Sequence, residues 1–406
     1  MEPISQSDNA DQRVHRRRVF YIPGYDPIHP RRYRELYRKE GQEQARISGY
    51  KLDLKPKKTG GPYGWHVTGS IDCAVTEADV EVLVWADIVK TSMARGIAAT
   101  YLQLMRTAYA YIGSGALFRL AGLRKGPMIA ALYPIVFLLT QLLIACLAGW
   151  GIGEVVSLVH PALGWAAGLG VVWAMLRAFK RWDNKVFAYY LMHDYAYSAQ
   201  AGGANPPELE ARMTAFRLSI RNALTAGFDE VLVVGHSSGA HLAVSILADL
   251  LREGLPKDAA RLALLTLGQV VPMVSFLPQA KRLRGDLRYL SAQDALVWVD
   301  VTAPGDGCAF ALCDPVAVTG VAPPDKLWPL VISAAFTQTL SPERWKELRW
   351  KFFRLHFQYL CAFDRPGDYD YFQITAGPRT LADRYRTRVP SKSRITRPAS
   401  GYRDVV

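Results

Sequence analysis

The sequence predicts an α/β fold, a mostly parallel sheet flanked by helices, with a two-helix transmembrane hairpin inserted into it. Three observations predict it. Apolar runs of strand length at 231–234, 261–268 and 295–301 alternate with helix-patterned segments, as strands buried on both faces do. The first of these runs leads straight into Gly235-His236-Ser237-Ser238-Gly239 and then into a helix-like stretch, 240–247. Residues 128–150 and 155–176 form uncharged stretches of 23 and 22 residues. At ~1.5 Å rise per residue, either stretch covers the ~30 Å hydrocarbon layer of a bilayer.

In chain order, residues 1–17 are polar, then basic, and read as disordered; they hold no apolar core of a secretory signal. Residues 18–126 form the first part of the α/β domain. Val19-Phe20-Tyr21-Ile22 is a short strand, broken by Pro23-Gly24-Tyr25-Asp26-Pro27. A basic helix is expected over 30–45. Residues 47–76 alternate on either side of Thr59-Gly60-Gly61-Pro62, as a hairpin does, and 80–86 is a further strand. A helix over 92–120 carries Arg95 and Arg106 eleven residues apart on one face. It reads either as an interfacial amphipathic helix or as a buried one.

Residues 127–181 are the hairpin, turning at Gly151-Ile152-Gly153-Glu154. Arg119, Arg124 and Lys125 precede it, and Arg177, Lys180, Arg181 and Lys185 follow it, while the turn carries no positive residue. That asymmetry places both flanks on the cytoplasmic side. The alternative is a pair of buried helices capping a water-soluble domain. Residues 182–378 complete the α/β domain, with helices near 205–226, 280–290 and 341–363. The tail 379–406 holds eight basic residues against two acidic and reads as mobile.

The formal net charge of +13 over 406 residues calls for an anionic partner, and the placement of the basic residues beside the apolar stretches favours a lipid surface. No nucleic-acid-reading motif accompanies it. Five scattered cysteines give no disulfide framework, and Cys308 and Cys313 lack the partners of a zinc site. No phosphate-binding glycine loop occurs.

A serine at a sharp strand-to-helix turn needs small neighbours two residues away on each side, which Gly235 and Gly239 supply around Ser237. A serine hydroxyl needs a base to take its proton, and the base needs an orienting acid. With such a turn the partners follow in the order serine, acid, histidine. Of eight histidines only His241 and His356 follow Ser237. His241 lies one helical turn on, pointing away, and His236 packs the turn, so His356 is the candidate base. Asp306, in the turn Pro304-Gly305-Asp306-Gly307 after the 295–301 strand, is the candidate acid, with Asp300 and then Asp314 behind it. The oxyanion requires two backbone donors: the amide of Ser238, and that of Gly24 or Tyr25 in the loop after the first strand.

These residues resemble those of the α/β-hydrolase superfamily, of the lipase and esterase type, over most of 18–377 outside the insertion. The resemblance implies hydrolysis of an acyl ester through an acyl-serine intermediate, without cofactor. The chain departs from the pattern in carrying Pro23-Gly24-Tyr25 where a His-Gly-Gly-Gly oxyanion motif is usual. It also begins almost at the oxyanion strand, with the usual leading strands absent or replaced by the 47–76 hairpin. The expectation is a membrane-anchored, cytoplasm-facing serine hydrolase of lipid or other acyl esters. A thioesterase, an acyltransferase and a membrane-tethered binding module without turnover are the alternatives.

Overall fold

The computed structural model describes residues 13–58, 60–94 and 96–406. Eight strands form one sheet: β1 (Arg16–Ile22), β2 (Lys51–Pro56), β3 (Gly64–Ile71), β4 (Ala74–Val82), β5 (Glu230–His236), β6 (Arg261–Leu267), β7 (Leu296–Thr302) and β8 (Leu330–Ser333). Their spatial order is β2-β3-β4-β1-β5-β6-β7-β8. From β4 to β8 neighbouring strands are parallel, and β3 runs against both β2 and β4. The 47–76 hairpin therefore fills the edge of the sheet, while β1 and β5 lie at its middle.

The central strands β5, β6 and β7 are mostly apolar because both faces are covered. Along β5, Val231 and Val233 join one core with Leu262, Leu264 and Trp298, whereas Leu232 and Val234 join the other with Ala263, Leu265 and Val299. The connections are α1 (Arg31–Ser48), α2 (Ala86–Met93), α3 (Ile97–Gly113), α4 (Ala116–Ala121), α5 (Lys125–Ser157), α6 (Pro161–Arg181), α7 (Asp183–Val186), α8 (Ala188–Ala199), α9 (Pro207–Leu224), α10 (Gly239–Arg252), α11 (Val271–Ser275) and α12 (Lys281–Ser291). Helices α9, α10 and α12 cover the first face, and α1 with the C-terminal segments covers the second.

Helices α5 and α6 are the two long, apolar ones, and most of their large side chains face outward: Leu143, Leu147, Trp150, Val155, Trp165, Leu169 and Trp173 are all exposed. They meet through glycines spaced four apart. A β-carbon on Gly149 would stand 2.7 Å from the Gly168 carbonyl oxygen, and one on Gly164 would stand 2.6 Å from that of Gly153. Small residues at this spacing let helix backbones touch, the way membrane helices associate without a hydrophobic drive between them. The base of α5 joins the α/β domain through Met128, Ala131 and Leu138.

Several expectations are corrected. The turn of the hairpin is not at 151–154, which lies inside α5, but at 158–160, where Pro161 opens α6 at a position that needs no N–H donor. The 92–120 helix is three helices, split in part where Gly115 adopts φ +72°. Arg95 lies outside the described residues. Arg106 is exposed, and α3 is both buried and amphipathic: Leu104 and Tyr111 pack inward while Leu102, Met105, Tyr109 and Ile112 are exposed.

Residues 1–12 also lie outside the described residues, but 13–17 are ordered. Val14 is buried, and Arg17 forms a fully buried ion pair with Glu230 at 2.6 Å. The 341–363 segment is a chain of short helical pieces. Nor is the tail loose. Ile395 bridges to Cys313, and the buried Arg284 guanidinium binds the Asp404 carboxylate at 2.7 Å and the carbonyls of Ser275, Leu277, Pro278 and Asp404. Basic composition suggested mobility there, whereas docking of single side chains into the domain holds it.

Candidate active site

The carboxyl ends of β1, β5, β6 and β7 lie side by side, which brings four separate loops to one edge of the sheet. At the end of β5, Ser237 adopts φ +58°, a left-handed conformation in a residue with a side chain. The turn is possible because of what surrounds it. A β-carbon on Gly235 would meet Ala240 and the Gly239 carbonyl at 2.7 Å, and one on Gly239 would collide with the carbonyls of Ile22 and Pro23. Residues 230–236 are buried and Ser237 is partly exposed. Its amide donates to the Leu267 carbonyl at 2.9 Å, and α10 begins two residues later with its amino end toward the serine.

Gly24, in the loop after β1, lies directly against the serine. A β-carbon there would be 2.8 Å from Ser237 Cβ and 3.2 Å from its Oγ. The loop is pinned on both sides: the Trp85 indole donates to Pro23 O at 2.9 Å, the Tyr190 hydroxyl donates to Tyr25 O, and Tyr25 is bonded to Ser92. Gly24 thus packs against the serine side chain, and Ser238 follows the serine in the turn.

Asp306 and His356 are brought together. His356 Nδ1 lies 2.7 Å from Asp306 Oδ2, which also accepts from the Tyr359 hydroxyl at 3.0 Å, while Asp306 Oδ1 accepts from the Cys308 amide at 2.9 Å. Burial raises the pKa of this carboxyl, but the His356 charge and hydrogen bond, with the donors from Cys308 and Tyr359, outweigh it and hold Asp306 below the ordinary range. With Nδ1 engaged, Nε2 is the nitrogen available for proton transfer. The imidazole edge reaches the end of β6, where a β-carbon on Gly268 would be 3.0 Å from His356 Cε1.

The other sequence candidates lie elsewhere. Asp300 is buried inside β7, accepts from the Thr266 hydroxyl at 2.6 Å, and is raised to about 8 by burial. Asp314 caps a short helix (Pro315–Thr319) and pairs with Lys326. His241 is buried on α10 and lowered to about 4 by burial alone. His236 is lowered to about 3, chiefly by burial and then by His356; its Nε2 meets the His356 carbonyl at 3.0 Å. It is therefore a neutral ring bonded to the backbone of His356.

Two partners were not singled out from the sequence. Tyr359 lies three residues past His356, a spacing that could have pointed to it. Asp194, the one acid in the aromatic helix α8, lines a narrow cleft of about 20 Å³ with Tyr25, Trp85, Tyr197, Ser238 and His241.

Donor atoms of Asp306, Cys308 and His356 lie within 4.8 Å of one another, a spacing compatible with a metal ion. The set is poor for that purpose. Asp306 and His356 already bond each other, and burial first, then the nearby carboxylates, hold the Cys308 thiol well above its ordinary pKa. In comparisons with protein-family models, curated proteins and solved structures, nothing matches this chain.

Proposed function

We propose that the protein is a membrane-anchored serine hydrolase of the α/β-hydrolase kind that cleaves carboxylic esters, lipid acyl esters among them. The observations that carry this reading are Ser237, held at φ +58° and partly exposed where β5 ends, and a buried His356–Asp306 pair whose imidazole reaches the end of the neighbouring strand β6. In the acylation step His356 Nε2 takes the proton of Ser237 Oγ as the oxygen attacks the ester carbonyl. Asp306 stabilises the imidazolium that forms. The tetrahedral oxyanion faces the amides of Ser238 and of Gly24 or Tyr25. Its collapse expels the alcohol, which takes the proton from His356, and leaves an acyl-serine. Water, deprotonated by the same imidazole, adds to that ester and releases the acid, and the proton returns to Ser237.

The apolar, outward-facing α5–α6 pair supports a membrane anchor. The segment 138–157 of α5 is ~30 Å long, matching α6. Basic residues at Lys125 and Arg181 and none at 158–160 favour a cytoplasmic domain. The exposed apolar face of α3 beside the hairpin base would keep the site close to the lipid surface.

The reading is tested by incubating the protein in nanodiscs with p-nitrophenyl acyl esters of graded chain length. Intact-mass analysis after rapid acid quench should reveal one acyl adduct on Ser237 and free acid as product. A substrate-dependent adduct on another residue, or no adduct and no acid from folded protein, would contradict it. Acyl groups appearing on an added alcohol rather than as acid would redirect the reading to a transferase.

A further inference from the structure

A groove of about 240 Å³ lies between α3 and the end of α8, on the opposite side of α8 from Asp194 and Tyr197. Its chemistry is that of an anion site with an apolar wall. Arg106 and Gln103 line it from α3 and Gln200 from α8, and among the described residues no acidic side chain does. Arg106 is exposed and, among the described residues, has no carboxylate or carbonyl partner. Gln103 Oε1 is buried and accepts no hydrogen bond, which costs free energy unless a donor enters the groove. Ala99 and Leu102 form the wall toward the amino end of α3, and Leu102 and Met105 are exposed on that helix.

Two hydrogen bonds set the depth of the groove. The Tyr101 hydroxyl donates to the Leu138 carbonyl at 3.0 Å, and the Tyr111 hydroxyl donates to the Met273 carbonyl at 3.0 Å. Helix α3 therefore descends from the level where the 138–157 segment of α5 begins into the α/β domain. Arg106 follows Tyr101 by roughly 7.5 Å of helix rise. Headgroups fill the ~5–7 Å outside each face of the hydrocarbon layer, so the guanidinium stands at the level of the lipid phosphates.

Resting on the membrane-anchored reading, we propose that this groove binds the headgroup of an anionic phospholipid. Its phosphate pairs with Arg106, a headgroup hydroxyl donates to Gln103 Oε1, and an acyl chain leaves over Ala99 and Leu102 toward the bilayer. A single guanidinium with no carboxylate beside it matches a phosphodiester and offers nothing to the ammonium of a zwitterionic headgroup. The hydroxyl supplies the donor that the buried amide oxygen lacks. The chemistry recognised is a glycerol phosphodiester, which phosphatidylglycerol carries in the bilayer and glycerophosphoglycerol carries in solution. The apolar wall and the depth assign the groove to the lipid.

The test titrates the full-length protein in detergent micelles with ether-linked phosphatidylglycerol, which an esterase leaves intact, and counts retained lipid by native mass spectrometry. Wild type is expected to hold one equivalent about tenfold more tightly than ether-linked phosphatidylcholine. Arg106→Ala should bring that affinity down to the phosphatidylcholine level. Ala99→Trp, which fills the groove and keeps every charge, should lose the preference too. Arg177→Ala, which removes an exposed cation from the flank of the hairpin, should bind as wild type does. Unchanged melting of each variant in phosphatidylcholine nanodiscs shows that it is folded.

Glycerophosphoglycerol that displaces the lipid only in large excess would confirm the bilayer as the source, whereas displacement at equal concentration would identify the soluble phosphodiester. Phosphatidylglycerol held no more tightly than phosphatidylcholine, or equal losses in Arg106→Ala and Arg177→Ala, overturns this inference and leaves the anchor and the hydrolase readings intact. Release of the protein from membranes by alkaline carbonate overturns the anchor reading on which it rests.

Discussion

Ser237 holds a backbone conformation that costs a residue with a side chain on the order of 1–2 kcal/mol. That strain separates two substitutions that both remove the hydroxyl. Ser237→Gly and Ser237→Ala should be equally inactive, but the glycine variant should unfold at higher denaturant, by about 1 kcal/mol over alanine. Gly24→Ala is expected to lower kcat/KM on the order of a hundredfold without unfolding the protein, because the new methyl takes up space at Ser237 Oγ. Tyr359→Phe removes a donor to Asp306 and orphans the Ala303 amide, a loss of about 1–2 kcal/mol measurable in urea.

Asp300 gives a pH test of the core. Its folded pKa is raised to about 8, so the folded state keeps a proton that the unfolded state releases above about 4. Its contribution to stability is therefore full below the unfolded value and is lost progressively as pH rises through that window. Asp300→Asn should raise Tm relative to wild type at about pH 8 and give little gain at about pH 4.

At the scale of elements, the α5–α6 hairpin and the tail are held by different physics. The α5–α6 contact depends on the close approach of Gly149, Gly153, Gly164 and Gly168, so Gly164→Leu should separate the helices. A cysteine pair placed across the hairpin would then cross-link poorly in membranes, while Ser237 remained reactive. The tail depends instead on Arg284. Asp404→Ala removes the half-exposed carboxylate bound to that buried guanidinium and should lower Tm by about one to two degrees.

Elements set by local pattern were legible in advance. The β5 strand, the Ser237 turn and α10 follow from apolar runs and glycine spacing, and the two long apolar helices follow from length alone. Elements set by distant partners were not. The strand β8 is only four residues long, α8 is aromatic and nearly uncharged without a sharp polar face, and the tail is ordered by contacts with residues more than a hundred positions away. The same division holds at the site. Chain order picks out Ser237, Asp306 and His356, while Asp194 and Tyr190 reach the cleft because α8 emerges from the hairpin and packs there.

Across the whole molecule, the hairpin and the site are one construction. The chain leaves the sheet after β4, forms α5 and α6, and returns through α8, whose Tyr190 fixes the Tyr25 carbonyl beside the serine. A protein anchored this way should stay in the membrane pellet after alkaline carbonate washing; release into the supernatant would count against the anchor. The claim at the centre is that Ser237 is a nucleophile activated by His356 and Asp306. The most direct measurement is fluorophosphonate labelling of the full-length protein in membranes, with the modified peptide identified by mass spectrometry. Stoichiometric modification of Ser237, abolished in Ser237→Ala and slowed on the order of a thousandfold in His356→Ala, is the result expected. Labelling that is absent from folded wild type, or that persists unchanged without His356, would contradict it.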